Sequence, residues 1–277
     1  MRFERSIGNA SISFKRRGED TVLQDLFQEG CAKIKMPRPE SGRRTEAVII
    51  NTAGGLTGGD VFAVSAKWGP QTTAILTTQA AERYYTSCTG ASKITTRLHI
   101  EEAATAFWLP QEAIMFDGAI YERATHIDMA AGARLLALEM SVFGRTAMGE
   151  TVISGASSER WQLRLDGRLV FADAFALDGD IHAAMARPAI ANGAHAMATL
   201  LYVGPDMSAL CDTLNQSFLS SAIDGQASQL EAVLVVRILA QSAQNLRTCV
   251  NEVVDLLSRS LHSGNPLTSY VPRLWSF

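Results

Sequence analysis

The chain has 277 residues, of which 47 % are apolar and 19 % charged, and its formal charge is −3. This is enough apolar material for a large core and too much for a disordered segment. The weak negative charge excludes a basic nucleic-acid face. The lack of a long apolar run or of an apolar segment behind Met1–Glu4 predicts a cytoplasmic protein with no membrane partner and no secretory leader.

From about residue 10 to 205, apolar and polar residues alternate with period two between turn residues. This predicts a mostly β body. The segment Lys35–Arg44 is predicted as an exposed loop. "NTAGGLTGGD" (Asn51–Asp60) then packs four glycines into ten residues. A phosphate-binding P-loop needs Gly-Lys-Ser/Thr at its end, and a dinucleotide fingerprint needs glycines two apart opening a helix. Neither occurs. The alternating run Val61–Trp68 follows instead, so the stretch joins two strands. It is either a plain turn or a place where another backbone or an ion must come close.

Further strands are predicted at Ala74–Thr78 and Ile94–Ile100, and at Leu136–Val142, where Leu136, Leu138, Met140 and Val142 share one face. Asp166-Gly167 between "RWQLRL" and "RLVFA" predicts a hairpin, because both positions tolerate positive φ. Helices come late. Leu210, Leu214 and Phe218 share one face. Ser242 is placed to cap a helix with a stripe of Leu246, Val250, Val253, Leu257 and Leu261, stopped by Gly264 and Pro266. Ala232–Ala240 fits a buried strand or a short apolar helix equally well. The expectation is a single domain over 1–277, with a β body to about 205 and a mixed helical part over about 206–277. Leu234–Ala240 and the Leu246–Leu261 stripe also offer apolar surface for a partner.

Candidate chemistry is sparse. Cys31, Cys88, Cys211 and Cys249 form no CxxC pair and are read as reduced thiols, most of them buried. His99, His126, His182, His195 and His262 show no metal-binding spacing, so a metal site would have to be assembled from distant segments. Ser87-Cys88-Thr89 has no activating base nearby and reads as a turn. Carboxylates are more suggestive, because Glu112, Asp117, Glu139 and Glu150 lie in or beside apolar segments. Glu139 has the opposite parity to Leu138 and Met140. It faces solvent or pairs with Arg145, or it lines an interior, water-filled passage in which carboxylate oxygens would pass a cation weakly.

"NTAGGLTGGD", "LTTQAAERYYTS" (76–87), "WLPQEAIMFDGA" (108–119), "LALEMSVFGRTAMGE" (136–150), "LVVRILAQSAQNLR" (234–247) and "PRLWSF" (272–277) resemble, in order, segments of the urease accessory protein UreD family, also called UreH. Thr52-Ala53 stand where that family commonly has Pro. The resemblance implies a β-solenoid-like, helix-like winding of strands with a small helical portion near the C-terminus. It also implies a non-enzymatic chaperone that binds apo-urease together with a helical UreF-type protein and a UreG-type GTPase, and helps deliver nickel through an internal tunnel. No catalytic residue and no tightly bound cofactor is implied, only transient Ni²⁺. The candidate nickel contacts are Asp60, Glu112, Asp117 and Glu139. Two other readings are a β-helical carbohydrate-active enzyme, which needs two carboxylates beside an aromatic-lined groove, and an adaptor without an ion path.

Overall fold

The computed structural model describes residues 4–37, 44–145, 148–221, 223–261 and 270–275. The centre of the Lys35–Arg44 loop, His262, the Gly264/Pro266 stop and the last two residues of "PRLWSF" lie outside them.

The chain opens with a hairpin, β1 (Ile7–Arg17) and β2 (Asp20–Gly30), then β3 (Ala32–Lys35) and β4 (Thr45–Asn51). From there it winds. One turn is β5 (Val61–Trp68), β6 (Thr73–Thr78) and the short β7 (Glu82–Tyr84). The next is β8 (Ser92–Ile100), β9 (Thr105–Leu109) and β10 (Ala113–Met115). The third is β11 (Ile120–Met129) and β12 (Arg134–Phe143). Each strand pairs in parallel with its counterpart one turn on: β5 with β8, β8 with β11, β6 with β9, β9 with β12, and β7 with β10. This is the winding of a β-solenoid. Strand β12 does the work of two. Arg134–Ala137 pair with β9, and Ser141–Phe143 pair with β10. The earlier turn breaks between those two strands at Pro110, which has no N–H for a ladder.

A hairpin, β13 (Ala156–Leu165) and β14 (Arg168–Asp178), ends the first sheet. Its turn is the predicted Asp166-Gly167, with φ of 48° and 78°. After α1 (Ile181–Met185), β15 (Ala196–Val203) runs antiparallel to β12. Then α2 (Met207–Ser220), β16 (Asp224–Gln229), β17 (Leu234–Ala240) and α3 (Ala243–Ser260) follow, and a short 3-10 turn over Arg273–Trp275 comes last among the described residues. Ala232–Ala240 thus resolves as a strand. Ser242 caps α3 as predicted, accepting from Asn245 N at 3.1 Å.

Two cores result. The first fills the winding between the seven-stranded and ten-stranded sheets, with Phe14, Trp68, Ile100, Tyr121, Leu135 and Trp161 among its members. The second lies between the outer face of the ten-stranded sheet and the helices α2 and α3, with Leu136, Leu138, Met140, Val236 and Val250. Strand β12 is buried on both faces, because helices cover the side that an ordinary two-sheet body would leave wet. This corrects one expectation: Leu234–Ala240 and the α3 stripe are covered by the chain itself rather than offered to a partner. A second correction concerns the thiols. All four are free, but only Cys249 is buried, and Cys88 is exposed on a bend.

Candidate functional site

The glycine stretch is a corner of the winding that touches the next turn. Leu56 donates to the Arg83 carbonyl at 2.8 Å, and Tyr85 N donates to the Leu56 carbonyl at 2.8 Å. Gly58 packs on Ser87 and Gly90, and a Cβ there would stand 2.8 Å from the Thr89 carbonyl. Gly59 has φ of 89°. Both readings of the stretch hold, since it is a turn and another backbone approaches it closely.

The four candidate carboxylates do not come together. Asp60 is buried and ties the corner, accepting from Ser6 N at 2.8 Å and Thr57 N at 2.9 Å. Glu112 pairs with Arg247 of α3. Asp117 accepts from Ile153 N and Ser154 N, both at 2.9 Å. Only Glu139 faces the inside of the winding. Among the described residues, no group of three or more His, Cys, Asp or Glu side chains could hold a metal ion.

Glu139 neither faces solvent nor pairs with Arg145, which is engaged by Glu150 at 2.8 Å. Its parity matches that of Leu135 and Ala137, and the inside of β12 meets the inside of β11. There Glu139 Oε2 lies 3.0 Å from Arg123 Nε, and its other oxygen accepts from the Thr125 hydroxyl. Arg123 Nη2 reaches Glu159 Oε2 on β13 at 2.7 Å. Arg123 and Glu159 are register neighbours on parallel strands, so the fold itself sets this pair side by side. Glu159 Oε1 accepts from Tyr121 OH at 2.7 Å and from Ser141 Oγ at 2.8 Å. Tyr121 stacks on Tyr84 with ring centres 4.1 Å apart. All of these side chains are buried.

One cation between two carboxylates leaves the two acids in different states. Burial pushes Glu139 up to about 7, against the pull of Arg123. Burial also works to raise Glu159, but the Arg123 charge and hydrogen bonds from Tyr121, Arg123 and Ser141 overcome it, and Glu159 lies below the usual carboxylate range. Burial alone would lower Arg123; its two carboxylates hold it well above the ordinary range instead. A cavity of about 280 Å³ lies between β13–β14 and β15–β17, with Glu159 of this cluster in its wall. Glu159, Trp161, Met185 and Thr199 line it, and an Arg237–Asp173 ion pair of 2.8 Å stands on its wall.

The arrangement is a closed, partly proton-bearing ion cluster beside a cavity. The model for the UreD urease accessory protein family matches residues 6–276. The chain belongs to the UreD family. It is similar to urease accessory proteins UreD over nearly its full length. One from Agrobacterium fabrum is 37 % identical over 276 residues, covering 100 % of this chain and 93 % of the relative. One from Sinorhizobium medicae is 38 % identical, covering 99 % and 96 %. One from Rhodopseudomonas palustris is 40 % identical, covering 98 % and 91 %. In this UreD chain, the residues that sequence reading missed are Arg123, Glu159, Tyr121, Thr125 and Ser141. Their signal was parity: Ile127 and Met129 point inward, so Thr125, Arg123 and Tyr121 do too. No helix among the described residues is long and apolar enough to cross a membrane.

Proposed function

We propose that this chain is a non-catalytic scaffold in urease maturation. It binds apo-urease together with a helical UreF-type protein and a UreG-type GTPase in the cytoplasm. Nickel, the cargo, passes through the inside of the winding. Family membership over residues 6–276 supports the place in urease maturation. The observation that carries the interior route is the cavity with Glu159 in its wall, one guanidinium away from Glu139.

The chemistry suits transit. With both acids ionised, the cluster holds two negative charges and one positive, so it attracts a cation. Each carboxylate already accepts other bonds, so it holds that cation loosely. Of the four sequence candidates, Glu139 is the one on this route. Asp60, Glu112 and Asp117 brace turns and the α3 contact. GTP belongs to the partner. A carbohydrate-active reading fits less well, because the two interior acids share Arg123 instead of flanking an open groove.

The test is to produce urease with its full set of accessory proteins, with and without this chain, and to measure nickel per active site. Nickel near background without the chain is expected. Equal nickel in both preparations overturns the reading.

A further inference from the structure

The sequence scatters its histidines, but the fold brings two together. His182 lies in the first turn of α1, and Asp180 caps that helix by accepting from Ala183 N at 2.9 Å. His195 stands immediately before β15. Its main chain is pinned from both sides, donating to the Ala240 carbonyl at 3.0 Å and accepting from Phe143 N at 2.9 Å. The two rings have centres 6.1 Å apart and planes inclined by 16°. His182 is exposed and His195 half-buried, so the pair is open to solvent on one side.

With metal–nitrogen bonds of about 2.1 Å, two imidazoles on one ion have centres roughly 5–6.5 Å apart, from tetrahedral to trans angles. The observed separation lies in that range; the rings are stacked, and rotation of the exposed His182 side chain about its χ angles turns a nitrogen onto an ion held by His195. Both rings and Thr151 line a small cavity of about 10 Å³, roughly one water. Met185 lines this cavity and also the larger one with Glu159 in its wall. The pair therefore sits one side chain away from the outer part of the interior cavity.

We propose that His182 and His195 form a two-imidazole site for a late first-row divalent cation, Ni²⁺ above all, and that it is the outer station of the interior route. Imidazole is a good donor for Ni²⁺, Cu²⁺ and Zn²⁺. Two such donors, with water completing the shell, hold the ion without trapping it. The choice of nickel and the word "station" rest on the function proposed above; the site itself rests on the geometry.

The test uses the untagged full chain and NiCl₂ alone, without urease or partners. Calorimetric titration gives the affinity, and the paramagnetism of Ni²⁺ broadens the ring signals of ¹⁵N-labelled ligating histidines. The expected result is one site, broadening of His182 and His195 before His99 and His126, and at least tenfold weaker binding in His182→Gln. His182 is exposed, so this variant keeps the fold, which circular dichroism checks; His195→Gln is the second arm. Unchanged affinity in His182→Gln, or broadening confined to other histidines, overturns the site. Lost binding in His182→Gln with urease still fully loaded overturns the station and leaves the scaffold reading standing.

Discussion

Glu139 of β12 and Arg123 of β11 lie 3.0 Å apart across the inside of the winding, with side chains 4 % and 8 % exposed. A surface glutamate could be removed with little effect. This one cannot. Arg123 keeps Glu159 when Glu139 is truncated, but Arg123 Nε and the buried Thr125 hydroxyl lose their acceptor, which costs about 1–3 kcal/mol. Urea unfolding at pH 5 of Glu139→Ala beside wild type measures it. A loss below about 1 kcal/mol contradicts the burial and the pairing.

The same carboxyl gives a pH signature. Burial raises Glu139 to about 7 in the folded state, while the unfolded chain titrates it near the ordinary value of about 4.3. Between those values the folded protein holds a proton that the unfolded chain has released. The Glu139 contribution is therefore complete below about pH 4.3 and is lost as pH rises through about 7. Glu159 works in the opposite sense: its contribution is present above the ordinary carboxylate value and is lost as pH falls through its lowered folded pKa. Glu139→Gln removes the first effect. The stability of wild type minus that of Glu139→Gln should fall as pH rises from about 5 to about 7.5. A flat or rising difference refutes the shift.

The glycines separate two kinds of constraint. Gly54 has φ of 77° and open space around its missing Cβ. Gly54→Ala therefore costs only the left-handed penalty of about 1–2 kcal/mol. Gly58 has no such φ but lies against the Gly90 and Thr89 carbonyls, so Gly58→Ala must push two turns of the winding apart. Thermal unfolding should rank Gly58→Ala well below Gly54→Ala. The reverse order would mean that the corner is held by φ alone.

No nucleotide chemistry is expected. Asn51–Asp60 lies between β4 and β5, lacks the Lys-Ser/Thr of a P-loop and opens no helix. Purified chain should release no phosphate from GTP or ATP above background. Turnover that follows this chain through two columns would contradict it.

Much of the fold was legible because local rules governed it. Val61–Trp68 alternates strictly and is a strand, Asp166-Gly167 is a hairpin, and Ser242 caps a helix. Strand β12 was half legible. Its parity set Glu139 apart from Leu138, but period two cannot say that helices from residues 207–260 cover the other face. The ion cluster was less legible still. Parity puts Arg123 and Glu159 on the inward faces of their strands, but period two cannot say that they meet; they do so because β11 and β13, distant in sequence, run in register. His182 and His195 are brought together in the same way, by α1 folding back beside the start of β15.

The central claim is that nickel moves through the inside of this chain. Thr199 faces that inside, opposite Glu139 in the β12–β15 register, and lines the cavity without joining an ion pair. Thr199→Phe adds bulk to the passage and keeps every charge, while Thr199→Ala keeps it open. The decisive measurement is nickel per urease active site after maturation with each variant, on preparations in which urease and both accessory partners still co-elute. The account predicts a clear fall with Thr199→Phe and wild-type loading with Thr199→Ala. Full loading by an assembled Thr199→Phe complex would contradict the interior route.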